Sequence, residues 1–230
     1  MLANFDFDVI QRSWVYLFTT GMSFTLQLTA FSMVGGIFLG TLLAIMRLSR
    51  NRVVSIVAAT YVNLIRSVPL VLVIFWFYFL VPYIGAWLIG ASRPIQVGAF
   101  TSSLITFTMF EAAYFCEIMR AGIQSVPQGQ RAAGLALGMT GTQTMTTIIL
   151  PQAFRNMLPV LLTQSIILFQ DVSLVYVLSI TDFVGAATKV AQRDGRIVEM
   201  YLFVALVYFL MSYGMSALVK RQEKSMTAGN

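Results

Sequence analysis

Residues 16–46 read YLFTTGMSFTLQLTAFSMVGGIFLGTLLAIM, and no Asp, Glu, Lys or Arg interrupts them. A bilayer span needs roughly 20 mostly apolar residues, so this stretch is long enough to cross and also to tilt or project beyond the membrane. Gly36 and Gly40 stand in small-xxx-small spacing, where another helix could approach closely. Comparable runs recur at 69–80 or beyond, 97–119, 158–180 and 200–219, which makes about five spans. The composition agrees: 58% of the 230 residues are hydrophobic and only 10% charged, against roughly a quarter charged in a soluble domain. The expected fold is an all-α integral membrane protein. No repeat, low-complexity tract or linker divides it, so one domain is expected over 1–230, with its core at about 16–219.

The stretches between the spans are equally readable. A basic turn, Arg47-Leu-Ser-Arg50-Asn-Arg52, precedes 53–65, which is apolar but dotted with Ser55, Thr60 and Asn63 and reads as a short interfacial helix. Arg66-Ser-Val-Pro69 follows. Proline disfavours helix in the residue before it, so a new helix is expected to start near Pro69. With five spans, nine basic residues (Arg47, Arg50, Arg52, Arg120, Arg131, Arg155, Lys220, Arg221, Lys224) share one side. Five (Arg12, Arg93, Lys189, Arg193, Arg196) share the other, with Arg66 at a boundary. That bias predicts the N-terminus outside and the C-terminus inside. The opening MLANFDFDVIQRSW has acids and no basic region, unlike a cleaved signal peptide, so the first helix is expected to stay in the membrane. Trp14, Trp76 and Trp87 are candidates for interface positions, with burial in the second span the alternative for Trp76.

Several functions are disfavoured. The +6 charge is scattered singly between apolar runs, not gathered into a nucleic-acid stripe. The chain has no histidine and a single cysteine, Cys116, so an intrachain disulfide, a metal site and a histidine base are not expected. No convergent nucleophile and base suggests a membrane enzyme.

Between 121 and 157 lies a loop too long to be structureless unless it is functional or carries helices. Ser125-Val-Pro127-Gln128 offers an N-cap, an early proline and a capping-box glutamine. Ala132, Ala133, Leu135, Ala136 and Leu137 favour helix, and Gly138 is the expected stop. A second short helix is expected from Thr142, ended by Pro151 ahead of the next span. The small side chains of the first loop helix suit a groove on another protein, although a partnerless surface connector has the same spacing.

Gly129-Gln-Arg-Ala132-Ala-Gly134-Leu-Ala-Leu-Gly138, followed by Ile148-Ile-Leu-Pro151, resembles the cytoplasmic loop motif of ABC importer permeases. Arg66-Ser-Val-Pro69-Leu, Tyr114-Phe-Cys-Glu117-Ile-Met-Arg120-Ala-Gly122-Ile and Phe169-Gln-Asp171-Val-Ser173-Leu resemble the polar amino-acid branch, most of all its glutamate/aspartate permeases. The resemblance implies a type I importer fold in a bacterial cytoplasmic membrane. It implies as partners an ABC ATPase that carries ATP-Mg, a second permease (self or related) and a periplasmic or extracellular amino-acid-binding protein. It makes Gly129, Ala132, Ala133, Gly134, Gly138 and Pro151 the ATPase-coupling loop. One departure stands out: the family's acidic position holds Ala132 and its second alanine holds Gly134, so a different permease subunit could supply the acid. Glu111-Ala-Ala113 has the family letters but lies inside a span.

Charge inside spans is costly, roughly 2.5–3.5 kcal/mol at a helix centre, which singles out Glu111, Glu117 and Asp171. Glu117 stands at i,i+3 from Arg120 and is expected to pair with it. Gln164 and Asp171, two turns apart, share one helix face. Arg66, Glu111, Gln164, Asp171 and Ser173 are therefore the candidate translocation path. A purely structural hydrogen-bonding role for Glu111 and Asp171, with Arg66 as one partner, is the alternative. The chain has no G-x-x-x-x-G-K-[ST] loop, so ATP is expected to be hydrolysed by another chain, with no cofactor bound here. The competing function is an ion-coupled secondary transporter or channel subunit, for which inverted repeats or broken helices at matched positions would be expected.

Overall fold

A computed structural model describes residues 5–94 and 96–227. The first four residues of the acidic opening stretch and the two ends of the 1–230 domain thus lie outside the described residues. Eight helical elements are present among those described: α1 Asp8–Arg47, α2 Arg52–Arg66, α3 Leu70–Leu88, α4 Ala99–Gln124, α5 Gln128–Ala136, α6 Gly141–Leu178, α7 Phe183–Asp194 and α8 Ile197–Thr227. α1, α3, α6 and α8 are long and apolar enough to cross a bilayer. α4 has 26 residues, about 39 Å at 1.5 Å per residue, but Ser, Thr, Glu117 and Arg120 make it more polar than the other four.

The spans are longer than expected. α1 begins at Asp8, eight residues ahead of 16–46, and a π-helical segment, Leu17–Met22, joins its two α-helical parts. The span expected at 158–180 starts at Gly141, because Pro151 does not end the loop helix. A π-helical segment, Met145–Ile149, immediately precedes it. The widened turn makes room for the proline ring and its missing N–H. α2 matches the short helix read at 53–65, with Asn51 Oδ1 accepting from Val53 N–H at 2.9 Å as its N-cap.

Contacts divide the chain into two compact units. The first comprises 1–33, 69–108 and 165–217. Its core gathers Val9, Leu17, Met22, Phe183, Ala186 and Met200, with a second cluster of Leu28, Ile74, Phe107, Leu168 and Val172. The second comprises 34–68, 109–164 and 218–230. Ala44, Val62, Ala113, Cys116 and Met119 form its core. Gly36 and Gly40 do admit a close neighbour: a Cβ on Gly40 would stand 2.8 Å from Phe115 Cβ and 3.0 Å from the Ala112 carbonyl oxygen.

α7, in the first unit, was not expected. Asp182 caps it, accepting from Val184 N–H at 3.1 Å and Gly185 N–H at 2.9 Å, and Gly195 closes it at φ +66°. The Asp182 side chain is fully buried, and burial pushes its carboxyl up to about 7 against the smaller pull of those two backbone donors. A carboxyl raised in the folded state takes up a proton on folding between pH ~4 and ~7. Stability from this site is therefore present at the acid end and lost as pH rises through 7. Asp182→Asn keeps an acceptor at the cap and removes the charge. The variant should melt about 3 °C or more above wild type at pH 8, and the gap should narrow as pH falls below 7 and close near pH ~4. A gap independent of pH in thermal unfolding of detergent-solubilised protein would refute the assignment.

Candidate functional site

The loop between α4 and α6 is folded. Its helix α5 starts after Pro127 and has no side-chain cap. Ser125, read as that cap, is engaged elsewhere: its Oγ donates to the Gly122 carbonyl and accepts from Asn156 Nδ2, both at 2.8 Å. The stop falls at Gly138, as its sequence position indicates. Gly138 has φ +81°, its N–H donates to the Leu135 carbonyl at 3.0 Å, and Met139 N–H donates to the Gly134 carbonyl at 3.1 Å. Those two bonds form a Schellman motif. The following turn begins one residue before Thr142, capped reciprocally by Thr140 and Gln143.

α5 packs by one small residue and leaves the rest of its surface open. Gly134 is its only buried residue, and a Cβ there would lie 2.8 Å from Thr144 Cγ2. The glycine that departs from the family pattern is thus required by close packing inside the loop. Gly129, Ala132 and Ala133 are exposed, Leu135 is 49% and Leu137 81% exposed, and Pro151 is exposed on α6. α5 and the residue after its end thus present small and apolar side chains to the outside. Across 121–157 the only charged side chains are Arg131 and Arg155, with no carboxylate.

Polar side chains of the second unit converge on Glu117. Arg120 donates to its Oε2 from Nε at 3.1 Å and from Nη2 at 2.7 Å, the i,i+3 pair read from sequence. Arg47 pairs with its Oε1. Arg66 Nη1 stands 3.9 Å from Oε2, and the Arg66 guanidinium lies 5.3 Å from the centre of the Tyr114 ring. Arg66 thus forms an ion pair with Glu117, a partner its sequence position does not indicate. Arg47, counted from sequence only as a topological charge, belongs to this cluster. It comes from the end of α1, far from Glu117 in sequence.

Glu111 is fully buried, and Gln164 Nε2 donates to its Oε1 and Oε2 at 3.4 and 3.1 Å. Two residues singled out for their span position are thus brought together. Asp171 and Ser173 belong to the first unit. Asp171 closes the α-helical part of α6, where the chain tightens to a 3₁₀ segment, Val172–Leu178. Ser173 lines a shallow groove of about 390 Å³ with Gln170, Ser212 and Ser216, and Gln170 Nε2 donates to Ser212 Oγ at 3.0 Å. No group of three or more His, Cys, Asp or Glu side chains able to hold a metal occurs among the described residues.

This is the architecture of a membrane protein: apolar spans, a paired charge cluster around Glu117, and one folded loop. Residues 36–228 match the family described as binding-protein-dependent transport system inner membrane component. The chain belongs to that family. It is 51% identical over 216 residues to the glutamate/aspartate import permease protein GltK of Escherichia coli O157:H7, covering 94% of this chain and 96% of that one. It is 32% identical to the L-cystine transport system permease protein TcyB of Bacillus subtilis strain 168, over 91% and 86% of the two chains. Among solved structures, an amino acid ABC transporter with histidines superposes with a TM-score of 0.84 at 31% identity, covering 94% of this chain and 96% of that one. The methionine ABC transporter MetNI, inward facing, shares the fold, with a TM-score of 0.70 at 19% identity over 92% and 96%. The protein is thus a multi-pass, transmembrane subunit of an ABC importer with the type I fold, and the ion-coupled reading falls away.

Proposed function

We propose that this permease subunit imports glutamate and aspartate across a bacterial cytoplasmic membrane, with its N-terminus outside and its C-terminus inside. The observation that carries this reading is the 51% identity, over 94% of the chain, to a glutamate/aspartate import permease. ATP-Mg is bound and hydrolysed by a separate ATPase seated on α5, a second permease completes the pathway, and a binding protein delivers cargo from outside. This chain binds no cofactor and catalyses no reaction. Gly129, Ala132, Ala133, Gly134, Gly138 and Pro151 form the coupling loop. Arg66, Glu111 and Gln164 in one unit and Asp171 and Ser173 in the other are the candidates for cargo contact.

The charge arrangement is compatible with an acidic cargo. A dicarboxylate must exchange its water for donors and would be repelled by unpaired carboxylates. Glu117 is surrounded by three guanidiniums and Glu111 is held by Gln164, whereas the Arg66 side chain is 41% exposed. Uptake of labelled glutamate by cells carrying the complete importer should be suppressed at least tenfold by excess aspartate and left within twofold by glutamine or arginine. Competition by glutamine or arginine without competition by aspartate would overturn the cargo while leaving the importer assignment intact.

A further inference from the structure

We propose that a cleft of about 450 Å³, walled by Arg66, Glu117, Gly122, Ser125, Asn156 and Met157, is a binding site for one carboxylate or phosphate group. Its cargo version, a carboxylate of the transported amino acid, rests on the proposed import function. Its lipid version, an anionic headgroup, does not.

Charge is the first argument. Three guanidiniums, those of Arg47, Arg66 and Arg120, face one carboxylate, Glu117, which leaves a local excess of two positive charges. Arg120 is committed, donating also to Gln124 Oε1 at 2.5 Å. Arg66 pairs with Glu117 by charge alone, because 3.9 Å is too long for a hydrogen bond between them. Its planar fork rests near the Tyr114 ring, which pre-organises a group suited to bidentate recognition of a carboxylate or phosphate. Glu117 is the only acid among the lining residues. The opposite wall is neutral and polar, with Asn156 Nδ2 donating to Ser125 Oγ.

Position is the second argument. Gly122 and Ser125 stand where α4 enters the loop, and Asn156 and Met157 where the loop has returned into α6. Arg66 is the last residue of α2. An anion in the cleft would bridge the end of α2 to both roots of the loop proposed to meet the ATPase, so occupancy would be felt at the coupling helix.

The test uses the assembled permease–ATPase complex without its binding protein, in nanodiscs of phosphatidylcholine alone or with phosphatidylglycerol. Labelled glutamate binding and retained phosphatidylglycerol, by native mass spectrometry, are measured for wild type, Arg66→Gln and Asn156→Asp. Saturable glutamate binding in phosphatidylcholine discs, weakened tenfold or more by both variants, would establish the cargo version. Retained phosphatidylglycerol that both variants lose, without glutamate binding, would establish the lipid version even if the cargo assignment fails. Absence of both ligands from wild type, or binding of both unchanged within twofold in the variants, would overturn the proposal. Asn156 is exposed, so Asn156→Asp adds a repelling charge without disturbing the arginine cluster, and it decides alone should Arg66→Gln fail to assemble.

Discussion

Replacing Ala133 with tryptophan is expected to reduce uptake to background while the subunit still accumulates in the membrane. Ala133 is exposed on α5 beside Gly134, and Gly134 already touches Thr144 and Ile148, where an added Cβ would come within 3.0 Å of both side chains. The helix has no room to retreat from a bulky group on its outer face. An indole inserted into a close-packed contact costs about 1–3 kcal/mol or more by overpacking, which is roughly fivefold to over a hundredfold in assembly with the ATPase. Labelled-glutamate uptake, ATPase copurification and membrane abundance would be measured together. Survival of both uptake and copurification would show that α5 is not the docking element.

Glu117→Ala is expected to be the most destabilising single truncation in the second unit. The Glu117 side chain is 16% exposed and that of Arg47 17%, so removing Glu117 leaves three clustered cations, Arg47 the most shielded of them, without their counter-charge. Breaking a buried pair from one side costs about 3–5 kcal/mol. Partial exposure of Arg66 and Arg120 puts the expectation near the lower end, about 3 kcal/mol. Thermal unfolding in detergent would read the loss. A second substitution, Arg47→Met, should recover part of it, because the two side chains act as one unit. A loss under about 1 kcal/mol, or a double variant no better than the single, would show that the cluster does not hold the three helices together.

Four of the about five expected spans, the small-residue contact at Gly40 and the stop at Gly138 are legible in the sequence because each depends on local chemistry: apolar length, absence of a side chain, a left-handed φ. Ser125 looks like a cap from sequence, but its hydroxyl is taken by Asn156, a partner 31 residues away, which no local pattern records. Glu117 shows the same limit: its i,i+3 partner was visible, but Arg47 on α1 and Arg66 on α2 are tertiary neighbours. Pro151 has the sequence appearance of a terminator because proline normally ends a helix, and the π-helical turn before it leaves no compositional trace. α7 was missed because its buried residues are mainly alanine and glycine, so no apolar stripe marks it. An Asp182 cap and a Gly195 stop were its available signals.

The π-helical segments Leu17–Met22, Trp76–Leu80 and Met145–Ile149 carry a consequence for how this chain tolerates change in length. Each holds one residue more than an α-helix would need to join its flanks. Loss of one residue there converts the turn to ordinary α-helix and leaves the side chains on either side facing as before. The same loss elsewhere in a span turns every later side chain by about 100° and carries apolar faces away from the core. These three turns are slack in otherwise rigid rods, positions where deletion of one residue leaves the flanking faces in register.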